Sequence, residues 1–105
     1  MSTIDTQRVV IVGAGLGALY AAVKLAPRPV LVISPEMLGE GASSAWAQGG
    51  VAAAMSRGDS PESHAADTMM AGAGTVDPAI AQMVTAEARQ HILDLTDLGT
   101  PFDRD

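Results

Sequence analysis

The sequence predicts an α/β fold, and three consecutive features of its first third support that prediction. Residues 8–12 (RVVIV) are mostly β-branched and apolar, which is typical of a strand buried on both faces of a parallel sheet. A glycine-rich turn at 13–18 follows, and apolar residues then recur at spacings of three and four up to residue 26, as in a helix. Residues 30–33 (VLVI) predict a second buried strand. Residues 8–34 are therefore expected to form one βαβ unit.

The composition excludes several classes of function. With 12 acidic against 6 basic residues the net charge is −6, which disfavours nucleic acids and anionic membranes as partners. The absence of cysteine excludes disulfides, zinc ribbons, iron–sulfur ligation and thiol catalysis. No apolar run is long enough to span a membrane, and the opening MSTIDTQ lacks the layout of a signal peptide. We therefore expect a cytoplasmic protein that binds a small ligand.

The rest of the chain is expected to contain a flexible lead-in, a long loop and a helical segment. Residues 1–7 are polar and show no periodicity, and residues 34–50 are rich in glycine and serine. Ser60 and Asp77 each precede a proline, which is the signal of a helix N-cap followed by proline at the first helical position. Two helices are therefore expected within residues 60–98.

The ends of these two helices are marked by glycine. The first is expected to run from about residue 61 to residue 71, where Gly72 stops it, and the second is expected to end just before Gly99. One apolar face is predicted for the second helix, made of Ile80, Met83, Val84, Ala88, Ile92, Leu95 and Leu98.

The glycine-rich turn fits the fingerprint of a dinucleotide-binding, Rossmann-like fold. Gly13 allows a tight turn out of the strand, Gly15 lets a pyrophosphate approach the backbone, and Ala18 keeps the helix close to the sheet. The N-terminus of the helix presents free N–H groups to the phosphates. The strand before the turn and the helix and strand after it favour dinucleotide binding over a merely structural turn.

The fingerprint also expects an acidic residue at the end of the second strand, where it binds ribose hydroxyls. That end falls at Ser34, and Glu36 lies beyond Pro35, so the sequence leaves the direction of its side chain open. No Arg or Lys stands here to favour a 2′-phosphate, which disfavours NADP. The turn alone does not distinguish NAD from FAD.

Longer motifs identify a family. The segments EGASSAWAQGGVAA at 40–53, DSP at 59–61, HAADT at 64–68 and AGAG at 71–74 resemble the L-aspartate oxidases, which belong to the succinate dehydrogenase/fumarate reductase flavoprotein superfamily. The resemblance extends from about residue 9 to residue 103. It implies a partial Rossmann-like FAD-binding fold and oxidation of L-aspartate to iminoaspartate in de novo NAD biosynthesis, with oxygen or fumarate as the acceptor.

The resemblance also implies the residues that bind FAD. The glycine turn would contact the pyrophosphate, the end of the second strand would lie beside the adenosine ribose, and the loop would wrap the flavin. The implied cofactor-binding residues are Gly13, Ala14, Gly15, Leu16, Gly17, Ala18, Ser34, Pro35, Ser43, Ser44, Ala45, Trp46, Ala47, Gln48, Gly49 and Gly50.

Three positions distinguish this chain within the superfamily. Ala18 stands where the family commonly has glycine, which the fingerprint tolerates, and Pro35 replaces a common lysine and so removes a cation beside the cofactor. Ser43 aligns with the histidine that succinate dehydrogenases link covalently to the flavin. Because serine cannot form that link, non-covalent FAD is expected.

Other polar residues are expected to have structural roles. His64 and Asp67 supply two potential metal ligands without a third, so a hydrogen-bonded pair is favoured over a metal site. Ser43 and Ser44 have no nearby base in the sequence, which disfavours hydrolase chemistry. We therefore assign no catalytic residue and no metal ligand to this chain.

Two strands are fewer than a dinucleotide-binding sheet needs, so residues 1–105 are expected to be the N-terminal part of an FAD-binding domain and inactive alone. The missing C-terminal portion would supply the groups that bind L-aspartate. Two alternatives stay open: part of another fumarate reductase-type flavoprotein, or a non-enzymatic interaction module that self-associates through exposed sheet edges.

Overall fold

A computed structural model describes residue 3 and residues 5–103, and it divides the chain into two compact units after Gly50. Three residues of the expected flexible lead-in, 1, 2 and 4, lie outside the described residues. The assignment of residues 1–105 to the N-terminal part of one FAD-binding domain stays a prediction.

The first unit is a βαβ unit, which confirms the predicted α/β class. Strand β1 (Val9–Val12), helix α1 (Leu16–Leu25) and strand β2 (Val30–Ile33) follow one another, and the two strands pair in parallel. The register places Val9 opposite Val30, and the Gly13 N–H donates to the Ile33 carbonyl at 2.7 Å. This last bond holds the start of the glycine turn against the end of β2.

The two strands are more exposed than a continuous apolar run predicts. Val10 is 45% exposed, Val12 81% and Ile33 47%. The expectation of strands buried on both faces is therefore wrong for the described structure. The physical reason is that burial on both faces needs a layer on each side of the sheet. Among the described residues of this unit, α1 is the only α-helix.

The second unit contains the two helices expected within residues 60–98. Helix α2 (Pro61–Gly72) begins where the Ser60 hydroxyl accepts the Ser63 N–H at 3.0 Å, as a serine N-cap does. It includes Gly72, which was expected to stop it, and ends instead at Ala73 with a left-handed φ of 48°. Ala73 therefore takes the position that glycine usually fills.

Helix α3 (Pro78–Asp97) begins at the other expected N-cap. The Asp77 carboxylate accepts the N–H groups of Ala79 and Ile80 at 2.9 and 3.3 Å. Two unpaired N–H groups of the first turn are thereby satisfied.

Small residues form the packed face between α2 and α3. Ala65 is 1% exposed, Ala81 6% and Thr85 5%, and the Thr85 hydroxyl donates to the Ala81 carbonyl of its own helix. Such short side chains let the two helix backbones approach closely.

The predicted apolar face of α3 is only partly buried. Ile80, Met83 and Val84 are each more than half exposed, as is Leu98 beyond the end of the helix. The sequence predicted that these residues share one apolar face, and in the described structure that face is left largely uncovered at these four positions. Helix α3 packs against α2 through alanine and threonine, so the longer apolar side chains lie on a part of its surface that faces solvent.

Candidate functional site

The predicted cofactor residues of the first unit surround one cavity. Its volume is about 360 Å³. It is lined by the glycine turn, by the chain after β2 and by the loop around the short 3₁₀ turn Ser43–Ala45. The lining residues are Gly13, Ala14, Gly15, Leu16, Gly17, Ser34, Pro35, Glu36, Glu40, Gly41, Ala42, Ser43 and Ser44. Nine of the sixteen predicted site residues are thus brought together.

The backbone of the glycine turn needs its first glycine. Gly13 has a φ of +117°, a conformation that residues with a Cβ rarely adopt. It is the first residue after β1, and the next residue, Ala14, is 7% exposed. The turn is therefore set by a backbone geometry available to glycine and by one buried methyl group.

Gly15 leaves room that a side chain would fill. A Cβ atom at this position would lie 3.3 Å from the Ser44 hydroxyl oxygen and 3.7 Å from the Ala42 Cβ atom. Gly15 also has extended backbone and is the N-cap of α1. The absence of a side chain keeps the helix N-terminus open to the cavity, which fits the close approach of a pyrophosphate.

The N-terminus of α1 offers hydrogen-bond donors to the cavity. The first intrahelical bond runs from the Leu19 N–H to the Gly15 carbonyl at 3.0 Å, so the N–H groups of Leu16, Gly17 and Ala18 precede the helical ladder. The Leu16 N–H donates to the Ser44 hydroxyl at 3.0 Å. This contact, which spacing along the sequence did not predict, fixes the loop against the helix end.

The lining of the cavity has an acidic character. Glu36 and Glu40 contribute carboxylates, and the lining includes no lysine or arginine. The site therefore has to attract a phosphate through backbone N–H groups and the helix dipole.

Four lining residues were not among the predicted site residues: Glu36, Glu40, Gly41 and Ala42. The position of Glu36 near the end of the second strand was the available signal, but Pro35 left its direction open.

The residues predicted to contact the flavin are more exposed than those of the glycine turn. Ala45 and Trp46 line a second cavity of about 480 Å³ together with Glu36, Gly39, Glu40 and Gly41. The Trp46 side chain is 85% exposed, so it does not anchor the loop in a core within the described structure. Ala18 and the segment from Ala47 to Gly50 line neither of these two cavities. The assignment of all sixteen residues to FAD stays a prediction.

His64 and Asp67 of the second unit line a separate cavity of about 270 Å³. The His64 Nδ1 atom is buried and has no hydrogen-bond partner within the described part of the chain. Thr68, next to this pair, donates its hydroxyl hydrogen to the His64 carbonyl at 2.8 Å. Among residues 3 and 5–103 no three acidic or histidine side chains are grouped as a metal site requires.

Replacing Ser44 with alanine should raise the Kd for FAD about fivefold. The change removes the acceptor of the Leu16 N–H, and one such hydrogen bond contributes about 1 kcal/mol. The measurement is a flavin fluorescence titration with FAD, made on residues 1–105 joined to the remaining sequence of a longer relative, as described under the proposed function. Ser44→Thr is the matched control, because it keeps the hydroxyl group and should retain most of the affinity. Equal affinities for the serine and alanine forms would contradict an anchoring role.

No helix within the described residues is both long enough and apolar enough to cross a membrane.

Comparison with known proteins gives a consistent assignment. The chain is 54% identical over 98 residues to the L-aspartate oxidase of Caulobacter vibrioides, covering 90% of this chain and 19% of that protein. It is 50% identical to the L-aspartate oxidase of Mesorhizobium japonicum over 90% of this chain and 18% of that protein. The L-aspartate oxidase of Agrobacterium fabrum is 45% identical over all of this chain and 20% of its own length. The chain thus spans about a fifth of these relatives.

The family described as "FAD binding domain" matches residues 8–105, which include both units apart from the lead-in. The βαβ unit, the glycine turn at the N-terminus of α1 and this match over nearly the whole chain agree with one another. The chain belongs to the FAD-binding domain family, and its cofactor is FAD.

Proposed function

We propose that this chain supplies the pyrophosphate- and adenosine-binding part of the FAD site of an L-aspartate oxidase. The observation that carries the proposal is the cavity in which Gly13, Gly15, Leu16 and Ser44 meet at the N-terminus of α1. The identities of 45 to 54% to the three L-aspartate oxidases described above support the choice of reaction. The reaction is oxidation of L-aspartate to iminoaspartate, with oxygen or fumarate as acceptor, in de novo NAD biosynthesis in the cytoplasm.

The residues of the first unit have distinct tasks in this proposal. The N–H groups at the start of α1 bind the pyrophosphate, and Gly15 leaves the space for its approach. Ser34 and Pro35 lie beside the adenosine ribose, and the loop from Ser43 to Gly50 contacts the flavin side of the cofactor. Bound FAD would accept the hydride of the substrate, while the protein supplies binding and orientation.

FAD binding in this proposal is non-covalent. Ser43 occupies the position of the histidine that other members of the superfamily link to the flavin, and it lines the cavity beside Ser44. A serine hydroxyl can donate to or accept from the cofactor, but it does not form the histidyl bond.

The groups that bind and orient L-aspartate belong, in this proposal, to sequence beyond the 105 residues. We assign no catalytic residue to this chain.

A chimaera tests the proposal directly. Residues 1–105 replace the matching segment of the Caulobacter vibrioides relative, to which they are 54% identical. We expect the chimaera to bind FAD and to oxidise L-aspartate at no less than about a tenth of the rate of the unmodified relative, since a misplacement of the cofactor by about 1 Å would cost roughly a hundredfold. The measurements are flavin content and aspartate-dependent formation of hydrogen peroxide or of succinate from fumarate.

The controls separate the possible outcomes. Acid precipitation of the chimaera should leave the flavin in the supernatant, whereas flavin in the pellet would contradict the non-covalent link. A chimaera that folds but retains no FAD would overturn the proposed function. Self-association of the 105-residue chain, measured by light scattering, would then favour an interaction module. FAD binding without aspartate oxidation would mean that this segment does not place the cofactor as an L-aspartate oxidase requires, and it would favour another fumarate reductase-type flavoprotein.

A further inference from the structure

The carboxylate expected at the end of the second strand is missing from its usual position. Ser34 is the first residue after β2, and a serine hydroxyl is a weaker acceptor for ribose hydroxyls than a carboxylate. The Ser34 hydroxyl also accepts the Glu36 N–H at 3.2 Å. One of its lone pairs is therefore used within the protein.

That hydrogen bond closes a short turn over Pro35 and brings Glu36 back to the cavity. Glu36 lines the same cavity as the glycine turn and Ser34, although it lies two residues beyond the strand end. The sequence left its direction open. In the fold Glu36 lines this cavity and also the neighbouring cavity that contains Trp46.

The neighbouring loop is shaped around the Glu36 side chain. Gly41 has a φ of +71°, and a Cβ atom there would collide with the Cβ and Cγ atoms of Glu36. Glycine at this position therefore lets the loop backbone pass directly against the glutamate stem. The stem of the Glu36 side chain therefore lies against the loop backbone at the edge of the cavity.

The charge at Glu36 indicates which part of a dinucleotide it contacts. A carboxylate repels a pyrophosphate, whereas the two hydroxyls of a ribose are neutral donors that a carboxylate can accept together. The N-terminus of α1 already provides the phosphate-binding end of the cavity.

We infer that Glu36 binds the adenosine ribose hydroxyls of FAD and takes the place of the acidic residue missing at Ser34. The inference rests on the proposed function, because it assumes that the cavity of the first unit holds the adenosine half of FAD. It assigns recognition of the ribose hydroxyls to a residue outside the usual fingerprint position.

The test uses the chimaera after removal of its flavin, titrated by calorimetry with ADP and with 2′-deoxy-ADP. The form with Glu36 should prefer ADP by roughly tenfold, as expected for a hydrogen bond to a charged group at a partly exposed site. Glu36→Ala should reduce this preference to near parity. FMN, which lacks the adenosine, should bind both forms equally.

Glu40→Ala is the matched control, because Glu40 contributes the other carboxylate to the same cavity. It should keep the preference for ADP over 2′-deoxy-ADP, even if both affinities change together. An unchanged preference in Glu36→Ala, or an equal loss of both affinities, would overturn the assignment of Glu36 alone. Failure of the unsubstituted chimaera to bind FAD or ADP would overturn the proposed function itself.

Discussion

Replacing Gly13 with alanine should raise the Kd for FAD roughly ten- to a hundredfold. The φ of +117° at this residue is strained for any side chain that has a Cβ atom, at a cost of about 1–3 kcal/mol. A Cβ atom would meet no other atom within 4 Å, so the effect comes from the backbone and not from a clash. The turn can relieve the strain only by moving, and its movement displaces the donors of α1 from the pyrophosphate.

The measurement is a flavin fluorescence titration of the apo-chimaera with FAD. Gly58→Ala is the matched control, because Gly58 has a φ of +90° and equally open surroundings but lies in the second unit. It should lower the free energy of unfolding by a similar amount and leave the Kd for FAD within about twofold, since it belongs to the other unit and is not among the predicted cofactor residues. A similar loss of affinity in both variants would show that general destabilisation, and not the turn, is responsible.

The elements of this fold could be predicted from sequence because their signals are local. A run of β-branched residues, a glycine turn and a proline after an N-cap residue each act within a few positions of the chain. The N-caps at Ser60 and Asp77 illustrate this, since each closes hydrogen bonds to N–H groups two or three residues ahead. The short 3₁₀ turn Ser43–Ala45 gave no such signal. It has three residues, which is too short for a helical spacing of apolar residues to show in the sequence.

Burial could not be predicted in the same way. Apolar periodicity indicates which side chains share a face, but the partner that covers the face is a property of tertiary packing. Ile80 and Met83 are exposed because α3 meets α2 through Ala81 and Thr85. Val12 is exposed for the related reason that α1 is the one α-helix on its sheet in the described part of the first unit.

The candidate site was predictable to the extent that its residues lie in motifs. The glycine turn and the two serines of the loop line one cavity, and their assignment to FAD stays a prediction. The Leu16–Ser44 hydrogen bond and the direction of Glu36 depend on how the loop folds back on the βαβ unit. The first joins two residues that are distant in sequence, and the second follows a proline. Periodic patterns in the sequence do not indicate contacts of either kind.

The helix pair of the second unit should be highly sensitive to charge at its centre. Ala65 of α2 is 1% exposed and shares a small cavity with Gln82, Thr85 and Ala86 of α3. Ala65→Asp would place a carboxylate there without a basic partner in the lining of that cavity, at a cost of about 3 kcal/mol or more.

Amide hydrogen exchange in the chimaera measures the stability of this helix pair locally, so that unfolding of the rest of the protein does not dominate the result. In Ala65→Asp the exchange of α2 and α3 should become roughly a hundredfold faster. Ala66→Asp is the matched control, because it introduces the same side chain at the next, exposed position of the same helix. It should cost no more than about 0.7 kcal/mol in helix propensity. Equal acceleration in the two variants would mean that Ala65 is not packed against α3 in solution, because the cost of a buried charge applies at only one of the two positions.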